Sequence, residues 1–94
     1  MADVSICLAP GMATNDSSFT YEITGQITLT DLMYDWGRQN APGVPDRLFD
    51  PVTGYIAGTM LVLLNGRSVK SDDPKTTMVY PGDVIYITPI LIGG

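Results

Sequence analysis

A chain of 94 residues, 45% hydrophobic and only 16% charged, has material for one modest core and lacks the low hydrophobicity and high charge of a disordered segment. Ten acidic residues against five basic ones give a net charge of −5, with Arg38, Arg47, Arg67, Lys70 and Lys75 scattered along the chain. This excludes the positive footprint that nucleic acid needs and leaves two uses for the acidity, solubility or attraction to a basic protein surface.

Residues 3–9 alternate, with Val4, Ile6 and Leu8 on one side, which predicts a strand. Cys7 is the only cysteine and lies in this run, so it has no partner for an intramolecular disulfide and reads as a structural residue. Pro10-Gly11 and the polar stretch 14–18 break the strand, and Phe19, Tyr21 and Ile23 alternate again, predicting a hairpin. In residues 28–40, Leu29, Leu32, Met33 and Trp36 recur at the spacing of one helical face. Thr28 followed by Asp31 resembles a capping box, and Asp31 suits the positive end of the helix dipole. Gly37 and then Ala41-Pro42-Gly43 are expected to mark the helix end, and Trp36 to anchor the core.

Residues 41–58 are rich in Pro and Gly and predict a long connection, with a short strand or turn near residues 47–50. The continuous apolar run Met60-Leu61-Val62-Leu63-Leu64 predicts a buried strand, and Asn65-Gly66 is a strong hairpin turn leading into Arg67-Ser68-Val69. Pro81-Gly82 suits a type II turn, and residues 84–88 predict the last strand.

The order is strand, strand, helix, long loop, strand, short strand, strand. A right-handed crossover through the helix sets the first strand against the last, and the apolar stripe of the helix covers one sheet face. The predicted class is α+β in the β-grasp arrangement, a mixed sheet of about five strands on one main helix, although periodicity alone allows other α+β arrangements. Residues 1–94 are read as a single domain whose residues 90–94 project as a tail.

The chain has no histidine, so a His-based triad or zinc cluster is not available. Asp72-Asp73 read as a solvated turn, and the scattered glycines form no phosphate-cradling loop. No metal site is expected. The C-terminus is different. Pro89 removes a ladder donor, so sheet pairing is expected to stop there and Pro89, Ile90, Leu91 and Ile92 to lead outward to Gly93-Gly94. Two glycines thread a narrow channel and leave the carboxylate of Gly94 sterically open. That carboxylate becomes an electrophile once adenylated. Taken alone, the dipeptide is an ordinary frayed end.

Three stretches change its weight. Residues 42–50 (PGVPDRLFD), 61–67 (LVLLNGR) and 81–89 (PGDVIYITP), the last followed by Gly93-Gly94, resemble the sulfur-carrier branch of the ubiquitin-like superfamily. That branch includes the molybdopterin synthase small subunit, the thiamine and cysteine sulfur carriers, and the ubiquitin-related modifiers. The resemblance implies a carrier, not an enzyme, that binds no cofactor itself. An adenylating activating enzyme would use ATP on Gly94, with Gly93 beside it, and a sulfur donor would convert the end to a thiocarboxylate. The large subunit of a synthase, or another sulfur acceptor, would then take the sulfur. Molybdopterin synthesis is the first expectation. Cysteine or thiamine synthesis, or isopeptide formation through Gly94, are the alternatives.

The residue before the glycines is often small in these carriers and is Ile92 here. The apolar Ile90-Leu91-Ile92 implies an apolar channel in the partner, or a strand continuing into the sheet. Pro89, Ile90, Leu91, Ile92 and Phe49 are expected to meet partners, with Tyr86 and Met60 as further candidates on the open sheet face and core packing as the competing role. No apolar run approaches the roughly 20 residues that span a bilayer, no secretory segment is visible, and the single cysteine fits a reducing compartment. A cytoplasmic protein with no membrane partner is expected.

Overall fold

The computed structural model describes residues 3–9 and 18–90. Strands β1 (Asp3–Leu8) and β2 (Ser18–Glu22) form the expected antiparallel hairpin, Val4 opposite Tyr21 and Ile6 opposite Phe19. After the short β3 (Ile27–Thr28) the chain enters helix α1 (Leu29–Asn40). The Thr28 side-chain oxygen accepts a hydrogen bond from the Asp31 N–H at 3.1 Å, a cap worth about 1 kcal/mol. The anticipated stripe is buried: Leu29, Leu32, Met33 and Trp36 all lie in the core.

The helix continues past Gly37 to Asn40, so Gly37 is a buried interior position and not the terminus its residue type suggested. Residues 41–58 also depart from expectation. Gly43–Leu48 form a second short helix, α2, which buries Val44, Pro45 and Leu48. Its burial spacing was masked by Pro and Gly, which read as loop. Phe49 then makes an isolated antiparallel bridge to Ile56.

Strand β4 (Met60–Leu64) turns through Asn65-Gly66 into β5 (Arg67–Ser68). Asn65 takes φ 54° and Gly66 φ 84°, the left-handed pair that this hairpin turn demands. β6 (Met78–Val79) pairs with β3 as a separate two-stranded ribbon beside the helix start. There the Leu29 N–H donates to the Thr77 carbonyl and the Thr30 N–H to the Pro74 carbonyl, which serves two backbone donors that a helix start leaves unpaired.

The last strand, β7 (Val84–Pro89), lies in the middle of the main sheet, whose order is β2-β1-β7-β4-β5. It runs parallel to β1 and antiparallel to β4. Cross-strand pairing sets Ile6 and Leu8 beside Ile85 and Ile87, and these beside Leu64 and Val62, all buried on the face shared with α1. Phe19 meets Trp36 edge-on at 5.1 Å between ring centroids, a favourable aromatic geometry. The opposite face is left open and carries Ser5, Cys7, Leu61, Leu63, Val84, Tyr86 and Thr88, by the same registers.

Candidate functional site

The chemistry expected of this chain depends on how the end of β7 leaves the body. Alternate residues of a strand turn their backbone groups to alternate neighbours. The Ile87 carbonyl accepts from the Ala9 N–H at 2.9 Å, so Ile87 faces β1. Pro89, two residues on, faces the same side, where it has no donor to offer. Thr88 and Ile90 face β4. The Ile90 N–H accordingly donates to the Thr59 carbonyl at 2.8 Å. Pro89 therefore closes the ladder toward β1 only, and pairing toward β4 survives through Ile90. The expectation that pairing stops at Pro89 is corrected by this bond. Pro89 and Ile90 are both half-buried. Leu91, Ile92, Gly93 and Gly94 lie outside the described residues.

Thr59 is held in turn. It belongs to a turn over residues 57–60 closed by the Met60 N–H on the Ala57 carbonyl at 3.0 Å, and the Ala57 N–H donates to the Leu48 carbonyl. The Lys70 ammonium donates to the carbonyls of Ala57, Gly58 and Met60 at 3.1, 3.1 and 2.9 Å. Neither Thr59 nor Lys70 stands out in the sequence, because an isolated lysine reads as a solvated charge.

The start of β7 is held by another clasp. Pro81-Gly82 form the expected turn, with Gly82 at φ 91° and the Asp83 N–H on the Tyr80 carbonyl at 3.1 Å. Asp83 accepts from the Tyr80 N–H at 2.8 Å and from the Asn65 side-chain amide at 3.0 Å. The Asn65 side-chain carbonyl accepts from the Val84 N–H at 2.8 Å. Asn-Gly and Gly-Asp, both visible in the sequence, thus join two turns to each other. Beside this clasp Leu64, Asn65, Arg67, Met78, Tyr80 and Asp83 line an open cleft of about 400 Å³. Of these, Asp83 immediately precedes β7, at the end opposite Pro89.

Of the residues anticipated to meet partners, Tyr86 stands on the open sheet face, 39% exposed. Phe49 does not reach a surface: it is 5% exposed and stacks on Tyr34 of α1 at 5.4 Å. Met60 is 2% exposed and faces the core. The reasons differ. Phe49 is drawn inward by its bridge to Ile56 after α2 and by its stacking on Tyr34, which periodicity does not show, whereas Met60 shares the inward face of β4 with Val62 and Leu64. Cys7 is half-buried on the open face, its sulfur 3.9 Å from the Ser18 hydroxyl oxygen. Among the described residues no group of three or more acidic or cysteine side chains could hold a metal ion. No described helix is long and apolar enough to cross a membrane.

A five-stranded mixed sheet with parallel outer-chain strands β1 and β7 at its centre, a helix across one face and hairpins on both sides define the β-grasp fold, the fold of ubiquitin. No protein-family model matches the chain, and no curated protein sequence matches it. Solved structures do. The HVO 2177 protein of Haloferax volcanii aligns over 99% of this chain and 87% of its own, with TM-score 0.77 and 21% identity. The small archaeal modifier SAMP1 of the same organism aligns over 98% and 99%, with TM-score 0.76 and 18% identity. A chain of the BexX/CysO complex of Amycolatopsis orientalis aligns over 97% and 99%, with TM-score 0.74 and 22% identity. What this chain shares with them is the fold.

Proposed function

We propose that this protein is a sulfur carrier whose reactive group is the carboxylate of Gly94. In the proposed cycle an activating enzyme binds ATP, and a carboxylate oxygen of Gly94 attacks the α-phosphorus. Pyrophosphate leaves and an acyl adenylate forms. A donor then delivers sulfide to the carbonyl carbon, AMP leaves, and the thiocarboxylate results. The chain supplies no general base to these steps; it presents one terminal group. Molybdopterin synthesis is the proposed destination, from the motif resemblance. The cytoplasm is the proposed site of action.

The observation that carries the proposal is the position of β7. The strand is central in the sheet, is clasped at its start by Asn65 and Asp83, and is tied at its end by Ile90 to Thr59. Residues 91–94 therefore follow a residue still bonded to the sheet, a fit to a chain end delivered into another protein's active site. The open sheet face around Leu61, Leu63 and Tyr86 offers apolar area to such a partner.

The test is intact-mass analysis of protein isolated from its native host, which also defines the mature terminus. The expected result is a species heavier by one oxygen-to-sulfur exchange at Gly94. No such species after incubation with activating enzyme, ATP and a sulfur donor would overturn the proposal. A second reading, a modifier that forms isopeptide bonds through Gly94, is favoured by the structural likeness to the archaeal modifier. Because Lys75 is the last basic residue of the chain, the expected mark of this reading after tryptic digestion is the whole segment 76–94 branched on lysines of other proteins.

A further inference from the structure

Lys70 follows β5 and is fixed in place by its neighbour. Val69 is 1% exposed, and its N–H donates to the Val62 carbonyl at 3.1 Å. From there the Lys70 side chain crosses to the turn that precedes β4. An ammonium has three donors and no acceptor, and here each of the three meets a backbone carbonyl, of Ala57, Gly58 and Met60. Among the described residues no carboxylate lies within ion-pair distance of it. The charge is thus balanced by three carbonyl dipoles that converge on one point. Without a cation between them their negative ends repel, so the ammonium reinforces the Met60–Ala57 bond that closes this turn. The remaining residue of the turn is Thr59, whose carbonyl receives the Ile90 N–H.

We propose that Lys70 is the positioning residue of the C-terminal tail: its ammonium locks the 57–60 turn, and through Thr59 that turn sets where and in which direction the chain leaves the sheet after Pro89. The consequence for the reaction rests on the carrier function proposed above. A tail with a fixed point of departure loses less conformational freedom on entering a partner's channel. Lys70 touches none of the reacting atoms. It acts through Thr59 and Ile90.

The test uses the full chain. Lys70→Met keeps the aliphatic stem and removes all three donors. Lys70→Cys in a Cys7→Ser background, alkylated with 2-bromoethylamine, restores an ammonium at nearly the original reach. Amide hydrogen exchange by NMR then reads Ile90 directly, with Ile85 and Ile87 of the same strand reporting whether the fold is intact. In Lys70→Met the protection of Ile90 is expected to fall about tenfold, the loss of roughly one hydrogen bond's net stability. Ile85 and Ile87 are expected to stay unchanged, and aminoethylation to restore Ile90. Unchanged protection of Ile90 in Lys70→Met, or no recovery on aminoethylation, overturns the anchoring role.

ATP–pyrophosphate exchange with the host's activating enzyme reads the second half. Lys70→Met is expected to raise KM for the carrier several-fold at constant kcat, again with recovery on aminoethylation. A loosened Ile90 with unaltered KM overturns the positioning role and leaves Lys70 structural. If the unaltered chain supports no exchange at all, the carrier function fails instead, and the anchoring of Ile90 is judged on hydrogen exchange alone.

Discussion

Gly37 faces the ring of Pro45 so closely that a β-carbon at Gly37 would lie 2.5 Å from Pro45 Cγ and 2.8 Å from Pro45 Cδ. This contact joins α1 to α2 and explains a glycine inside a helix. Gly37→Ala on a free helix surface would stabilise by about 1 kcal/mol. Here the rigid pyrrolidine ring cannot swing aside, and overpacking of this kind costs about 1–3 kcal/mol. The net expectation is a loss of stability in chemical denaturation. Pro45→Ala removes the obstructing ring, so Gly37→Ala is expected to be less harmful in that background, a coupling that a double-mutant cycle measures.

The clasp between the two turns predicts a graded response at Asn65. Asn65→Ala removes the bonds to Asp83 and Val84 and leaves at φ 54° a residue that tolerates this region less well than asparagine. Asn65→Gly removes the same bonds but accepts the backbone conformation. The expected loss for Ala is about 1–3 kcal/mol, with Gly about 1 kcal/mol better. Equal losses in urea titrations of the two variants would show that the bonds matter and the dihedral does not.

Trp36 is fully buried, yet its Nε1–H has no hydrogen-bond partner among the described residues. Trp36→Ala is expected to cost about 3–5 kcal/mol. Trp36→Phe keeps an aromatic ring near Phe19 and removes the unpaired donor, so its cost is expected to be clearly smaller. Thermal unfolding of the three proteins by circular dichroism gives the order.

Truncation separates the tail from the fold. Removing Gly93-Gly94 leaves the Ile90–Thr59 bond and the core side chains in place, so the melting temperature is expected to stay within error while thiocarboxylate formation is lost. Removing residues 90–94 also deletes the Ile90 donor, and a drop of a few degrees is expected, since about 1 kcal/mol moves the midpoint of a domain this size by roughly 4–8 °C. A large drop on removing only the two glycines would mean that they pack on the body.

Much of the architecture was legible because it is written in local periods. Val4, Ile6 and Leu8 alternate, Leu29, Leu32, Met33 and Trp36 recur at helical spacing, and Asn65-Gly66 demands positive φ; each is buried or turned as read. The candidate site was legible in part. The Asn-Gly and Gly-Asp pairs and Pro89 were visible, but their connections were not. Phe49 was read as a surface residue because nothing near it in the chain announces α2 or the bridge to Ile56.

The chain order of patterns, the capped helix and the two hairpin turns were determined by the sequence itself, since each depends on backbone preferences and burial within a few residues. Tertiary structure alone decided the rest. Gly37 is needed because of a proline on another helix. Lys70 has its task because three carbonyls from 10 to 13 residues earlier converge on it. Ile90 stays paired beyond Pro89 because the free side of the strand happens to face Thr59. Each depends on which groups, distant in the chain, are brought within hydrogen-bond or contact distance. That is settled by the collapse of the whole core, not by any local stretch.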